Sequence, residues 1–180
     1  KKEFERLLKK IKNNLSKLKL SPFEKIFCCA IKYFDQKKVN LLILEAGLGG
    51  RLDATTAHKL RPIIVIGNIG SDHKEYLGDS IKKIAQEKVA VIDRNAFVIS
   101  CRQNKQVEEI IKTRAKEVGA KIIWKDSICN EYELGLKGNF QKQNAAAAVG
   151  AIEVLNLMGF DITECSIIEG LKNTKWAGRL

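Results

Sequence analysis

Two short apolar runs, each ending in a polar loop, constrain this chain more than any other feature. The first, Leu41 to Leu44, predicts a strand buried on both faces, and it ends in Glu45, a carboxylate that must reach solvent, a cation or a ligand. Gly47, Gly49 and Gly50 follow within the segment GLGGRLDATT, too glycine-rich for a helix and too polar for a strand. The second run, Ile63 to Ile66, opens after Pro62, which holds its predecessor extended. It ends in Gly67, Asn68, Gly70, Asp72 and His73. In a parallel sheet the carboxyl ends of the strands share one edge, so Glu45 and His73, 28 residues apart in sequence, can meet in space.

The flanking segments fit that sheet. Phe4, Leu7, Leu8, Ile11, Leu15 and Leu18 recur at helical spacing among lysines and predict an amphipathic helix from residue 3 to residue 19. Ser21, Pro22 and Glu24 form a capping box for a helix reaching Phe34, with Phe23, Phe27, Ala30, Ile31 and Phe34 as its buried stripe. Asp79 or Ser80 caps a helix that carries Ile81, Ile84 and Ala85 inward and bears Glu87 and Lys88 near its end. A strand over 96–100, a helix over 104–118 and a strand over 121–124 come next. Alternation over 132–136 predicts another strand, an alanine-rich helix runs from 145 to 158, and Thr163 caps a last helix. Apolar runs alternating with helical patterns specify an α/β fold, a mostly parallel sheet with helices on both faces.

Composition narrows the function less than the pattern does. The 180 residues carry 32 Lys and Arg against 21 Asp and Glu, a formal charge of +11, which favours polyanionic ligands without choosing among them. No basic and aromatic interleaving marks a nucleic-acid platform, and no apolar stretch has the length of a membrane span. The five cysteines lack metal-ligand spacing and a secreted framework, so a cytoplasmic protein with inert thiols is expected.

Several residues are candidates for chemistry. A carboxylate at Glu45 and an imidazole at His73 are both competent ligands for a hard or borderline divalent ion, although each alone is as readily structural. Lys88, 15 residues after His73, reads first as a solvent-facing lysine. The GLGGR segment could hold an anion, yet the phosphate loop GxxxxGK[ST] occurs nowhere in these residues. Gln141, Gln143 and Asn144 open the alanine-rich helix, where amides can read a base edge or simply form a polar first turn. Arg179, near Trp176, is a phosphate-gripping arginine or part of a plain tail.

The segments LEAGLGGRLDATT, NIGSDHKEYLGDSIKKIAQEKVAVI, LKGNFQKQNAAAA and TKWAGR, in that order, resemble the folylpolyglutamate synthase and dihydrofolate synthase family, a branch of the Mur ligase group of ATP-dependent amide-bond ligases. The resemblance implies a central ATPase domain related to the P-loop NTPases, of which 1–180 is a part, with the phosphate loop expected before residue 1 and a glutamate-binding domain after residue 180. It implies that Glu45, His73 and a carbamylated Lys88 bind Mg2+, with Mn2+ an alternative. Gln141 and Asn144 then lie by the base of ATP, Arg179 contacts its phosphates, and Gly49, Gly50, Arg51 and Asp53 shape a loop beside the second substrate. This sequence departs from the family pattern at Thr56, Val89-Ala90, Phe140 and Ala177, where the family carries asparagine, alanine-glycine, histidine and proline.

The implied reaction phosphorylates a carboxylate of dihydropteroate or a folate with ATP, and the amine of L-glutamate attacks the acyl phosphate. The expected partners are these small molecules alone, with no nucleic acid, no membrane, and a monomeric full-length protein. A piece of the fold without its phosphate loop is expected to be inactive by itself. The competing expectation is a non-catalytic remnant that keeps residual nucleotide or polyanion binding.

Overall fold

The computed structural model describes residues 2–15, 18–58, 60–70, 74–128 and 132–177. The chain divides into two compact units, Lys1–Lys59 and Leu60–Leu180. Among the described residues no helix is long and apolar enough to cross a membrane.

The first unit is helical. Helix α1 (Lys2–Leu15) ends before the residue 19 that its periodicity suggests, and it buries Leu7 against α2 (Pro22–Lys37). The capping box stands as expected: Ser21 Oγ accepts from Glu24 N–H at 3.2 Å, and Glu24 Oε2 accepts from Ser21 N–H at 2.7 Å. The anticipated stripe of α2 is only half-buried and Phe23 is exposed; the fully buried member of the helix is Cys29. The reason is an apolar cavity of about 850 Å³, into which Phe27, Ile31, Phe34 and Leu42 project.

The strand expected over Leu41 to Leu44 is absent. Residues 41–46 carry no regular secondary structure, Leu41 and Ile43 are exposed, and Leu42 and Leu44 are half-buried. A strand is defined by a ladder, and no described segment supplies one here, so apolarity alone does not make this run part of the sheet.

The second unit holds the sheet. Strands β1 (Ile63–Ile66), β2 (Phe97–Cys101) and β3 (Lys121–Lys125) pair in parallel in the order β1-β2-β3, with Ile63 opposite Phe97 and Phe97 opposite Lys121. Each lies within one residue of its expected place. Helices cover both faces. On one, α4 (Ile81–Val89) and α5 (Lys105–Val118) bury Ile84, Ala85, Val107 and Ile111 with Ile64, Ile66 and Val98. On the other, α6 (Asn139–Leu157) packs Ala146, Ala147 and Val154 onto Ile99 and Cys101. The central strand β2 is therefore buried on both faces, whereas Val65 of β1 stays exposed.

Caps fix the helices around this sheet. Ser80, not Asp79, caps α4; Asn104 caps α5, and Gly119 closes it at a left-handed φ of 68°. A four-residue helix α3 (Lys74–Leu77) precedes α4, and α7 (Glu164–Asn173) starts at Thr163 as expected. The anticipated strand over 132–136 is not formed. Residues 132–137 instead lie along α7: Gly135 N–H donates to Leu171 C=O at 2.9 Å, Tyr132 Oη to Glu164 Oε1 at 2.6 Å, and Lys172 pairs with Glu133 at 2.7 Å. A Cβ on Gly135 would meet the carbonyls of Lys172 and Thr174, so glycine permits the contact.

Gly150 lets α6 approach the sheet closely. A Cβ there would stand 2.9 Å from Ile99 Cγ2 and 2.9 Å from Lys125 Cε. A Gly150→Val protein is expected to lose about 1–3 kcal/mol, since helix and strand must separate to admit the branched side chain. Thermal unfolding of the purified variant measures this, and an unchanged or higher Tm would contradict the contact.

Candidate functional site

The glycine loop of the first unit is built around one carboxylate. Asp53 Oδ2 accepts from Gly47 N–H at 2.8 Å and Leu48 N–H at 3.1 Å, while Oδ1 accepts from Thr55 N–H at 2.9 Å and Thr55 Oγ1 at 2.6 Å. Its own carbonyl accepts from Thr56 Oγ1 at 2.6 Å. Asp53 thereby caps the single 3₁₀ turn Ala54–Ala57 and folds residues 47–53 back on themselves. Burial opposes ionisation and is the largest single influence on this carboxyl. The hydrogen bonds from Thr55, Leu48 and Gly47 together outweigh it, and hold the group below the usual aspartate range. Gly49 takes a left-handed φ of 68°, the conformation that favours glycine, and Gly50 is buried. Arg51 is exposed. Glu45, just before this loop, is exposed and has no hydrogen-bond or ion-pair partner among the described residues.

In the second unit, β1 and β2 deliver their following loops to one edge because they are parallel. His73 lies outside the described residues, but the loop leading to it is described to Gly70. Lys88 is half-buried in the last turn of α4. Gln141 and Asn144 share the first turns of α6, which starts six residues earlier than its alanine-rich run suggests, and Gln141 Oε1 accepts from Asn144 Nδ2 at 3.0 Å. Gln141 is 5% exposed, whereas Asn144 is exposed. The pairing leaves Gln141 Nε2 and Asn144 Oδ1, a donor and an acceptor, without a partner among the described residues.

Gly138 begins this helix at φ 114° with no side-chain cap, and Phe140 lies against it, so close that a Cβ on Gly138 would be 2.8 Å from the ring. Phe140 is half in solvent, at 52% exposure, and is not a core residue. Cys101 packs under the same helix, its thiol donating to Gln143 C=O at 3.1 Å, and burial is the main reason its pKa is raised. Cys29 and Cys101 are thus protected thiols, while Cys165 is exposed and Cys129 lies outside the described residues. Arg179 also lies outside them. Among the described residues no three His, Cys, Asp or Glu side chains cluster as a ready-made metal cage.

The contribution of Gln103 is not legible in the sequence. Its side chain reaches back to the loop after β1, and a glutamine four residues before a helical stripe gives no signal of that reach.

No family model matches the chain. The chain is similar to a probable dihydrofolate synthetase of Schizosaccharomyces pombe, 31% identical over 180 residues, which are 90% of this chain and 43% of that protein. It is also similar to a dihydrofolate synthase/folylpolyglutamate synthase of Bacillus subtilis, 31% identical over 184 residues, covering 88% of this chain and 42% of the relative. Among solved structures, a Mycobacterium tuberculosis folylpolyglutamate synthase complexed with ADP superimposes with a TM-score of 0.86 at 23% identity, over 99% of this chain and 47% of that one. A folylpolyglutamate synthase from Thermotoga maritima gives 0.80 at 24% identity, over 99% and 46%. These structures carry the same α/β architecture, and the chain spans just under half the length of each of these four proteins. The chain belongs to the folylpolyglutamate synthase and dihydrofolate synthase family.

Proposed function

We propose that this chain contributes the nucleotide and metal side of an ATP-dependent ligase that joins L-glutamate to dihydropteroate or a folate in the cytoplasm, as a monomer when full length. The observation that carries the reading is the 31% identity to two such enzymes, from a yeast and a bacterium, along nearly all of this chain.

The donors proposed for divalent cations are Glu45, His73 and Lys88. Their chemistry fits Mg2+ or Mn2+: an exposed, unpartnered carboxylate, an imidazole, and a lysine whose neutral amine would add to carbon dioxide and release a proton, leaving an anionic carbamate. When bound, the ion offsets negative charge on the transferring phosphoryl group.

The protein's own groups orient the reactants. Gln141 Nε2 and Asn144 Oδ1, the donor and the acceptor left over by their mutual hydrogen bond, are proposed to meet an adenine edge, and the proposed role of Arg179 is to grip phosphate. The loop 47–53, with Gly49, Gly50 and Arg51 held in place by Asp53, is proposed to border the carboxylate substrate. In the proposed reaction the substrate carboxylate takes the terminal phosphoryl group of ATP and ADP is released; the neutral glutamate nitrogen then attacks the acyl phosphate carbon, gives up a proton to solvent, and inorganic phosphate leaves with its bonding electron pair as the tetrahedral species collapses.

Residues 1–180 contain no GxxxxGK[ST]. A polypeptide of these residues alone is therefore expected to bind nucleotide weakly and to form no amide product, because phosphoryl transfer depends on that backbone cradle and its lysine. The assay is ATP- and glutamate-dependent product formation from dihydropteroate and, separately, from tetrahydrofolate. It compares the 180-residue polypeptide with one extended by a phosphate-loop segment and glutamate-binding domain of a relative. Turnover by the short form would overturn the divided-site reading; inactivity of a folded extended form would overturn the ligase assignment.

A further inference from the structure

Phe140 stands in the first turn of α6 with its ring half in solvent, and it belongs to neither cluster of the hydrophobic core. The ring rests against Gly138, where a Cβ would come within 2.8 Å of Cε1 and 3.3 Å of Cδ1 and Cζ. Gly138 has the positive φ that favours glycine, so the chain ahead of α6 admits the ring at close range and limits where it can turn.

Helix geometry fixes what the ring stands beside. Residues four apart share a helix face, so Phe140 and Asn144 are neighbours, and both are exposed. Gln141 joins them through the 3.0 Å bond that its Oε1 accepts from Asn144 Nδ2. Although Gln141 is only 5% exposed, its amide is therefore turned toward the face that Phe140 and Asn144 present. Gln141 Nε2 has no hydrogen-bond partner among the described residues, and a nearly buried donor left in that state calls for a partner from outside the chain. One turn of helix thus offers an aromatic face, an amide donor and an amide acceptor. An aliphatic ligand would use the ring alone and a sugar the amides alone, whereas a nucleobase uses all three, its π face on the ring and its edge on the amides.

We propose that Phe140 is a base-stacking residue that sets nucleotide specificity: its ring takes one face of the base whose edge meets Gln141 and Asn144, and it favours a two-ring purine over the smaller pyrimidines. The inference rests on the nucleotide reading given above and adds to it the residue that reads the face of the base.

The test is an NMR titration of the unmodified protein with ATP, UTP and inorganic tripolyphosphate, repeated on Phe140→Leu, Phe140→Tyr and Asn144→Ala. Its signature is the ring-current shift, since the carbon-bound protons of adenine move upfield when an aromatic ring lies over them. The unmodified protein and Phe140→Tyr are expected to shift these protons upfield. Phe140→Leu keeps an apolar side chain without the π face; it should abolish the shift and weaken ATP about tenfold and UTP about threefold or less, with tripolyphosphate unchanged. A half-exposed side chain outside the core clusters tolerates such a change, and Phe140→Tyr, which keeps the ring, serves if the leucine form does not fold. Failure to bind ATP, or ATP binding that Asn144→Ala leaves untouched, would overturn the nucleotide-base reading and this inference with it. ATP binding that weakens in Asn144→Ala yet is indifferent to Phe140→Leu, or bound adenine protons without an upfield shift, would overturn this inference alone.

Discussion

A Glu45→Gln form of the extended, active protein is expected to lose amide-forming turnover by about 10³-fold while unfolding at the same temperature as the parent. The side chain is exposed and unpartnered among the described residues, so exchanging one carboxylate oxygen for an amide nitrogen disturbs no packing and breaks no internal hydrogen bond. Surface changes of that kind stay within about 0.5 kcal/mol. The charge is a different matter: a hard cation loses an anionic oxygen, and several kcal/mol of stabilisation on the transferring phosphoryl group go with it, which at about 1.4 kcal/mol per decade gives the stated loss. Rates should be measured across a Mg2+ titration, since a weakened site also demands more cation for half-maximal rate. A variant with parental turnover at ordinary Mg2+ would remove Glu45 from the metal shell.

Asp53→Ala is expected to be the most damaging change in the glycine loop, lowering the stability of the first unit by about 2–3 kcal/mol and turnover by about 10²-fold. Four donors converge on this carboxylate from Gly47, Leu48 and Thr55, and alanine leaves all four to find water. Charge-assisted hydrogen bonds contribute about 1.5–3 kcal/mol each at most, and partial exposure reduces their sum. The catalytic loss follows from displacement of Gly49, Gly50 and Arg51, because an error near 1 Å in a positioned loop costs about 10²-fold. Asp53→Asn should be nearly as harmful, since one of its two acceptors becomes an NH2 group facing an N–H donor.

The pH dependence has a definite sign. The folded carboxyl titrates below its unfolded value near 3.9, so its stabilising contribution is complete above about pH 4 and is lost as pH falls through the lower folded value. Thermal melts of the parent between pH 3 and pH 7 should therefore show an acid loss that the asparagine variant lacks. Coincident acid profiles for the two would mean that Asp53 does not hold the loop.

Much of the second unit could be read directly from the chain. Apolar runs at 63–66, 97–101 and 121–125 are strands, and the helices between them bury Ile84, which the sequence pattern turned inward, together with Val107 and Ile111. In the first unit the capping box at Ser21 and the non-helical, non-sheet character of residues 47–53 were equally plain, whereas the 3₁₀ turn Ala54–Ala57 at the end of GLGGRLDATT was not expected. Motif matching found the residues proposed for chemistry, but it did not find what holds them. Asp53 was marked as a loop residue beside a substrate, whereas its visible work is to bind the loop's own backbone.

The sequence by itself determined those features whose causes lie within a few residues: a cap acts three residues ahead, a helical stripe repeats every three or four, and a glycine at positive φ needs no distant partner. Tertiary structure decided what depends on pairing across the chain. The runs over 41–44 and 132–136 have strand-like composition, yet one has no ladder among the described residues and the other spends a backbone N–H on Leu171 of a helix. Gln103 makes the same point from the other side, since it reaches 34 residues back to Ile69 and 36 back to Gly67. Local preference selects which conformations a segment can adopt, but a hydrogen bond exists only when folding brings its second partner into reach, and in this protein the loops around the proposed chemistry are held by bonds of that kind.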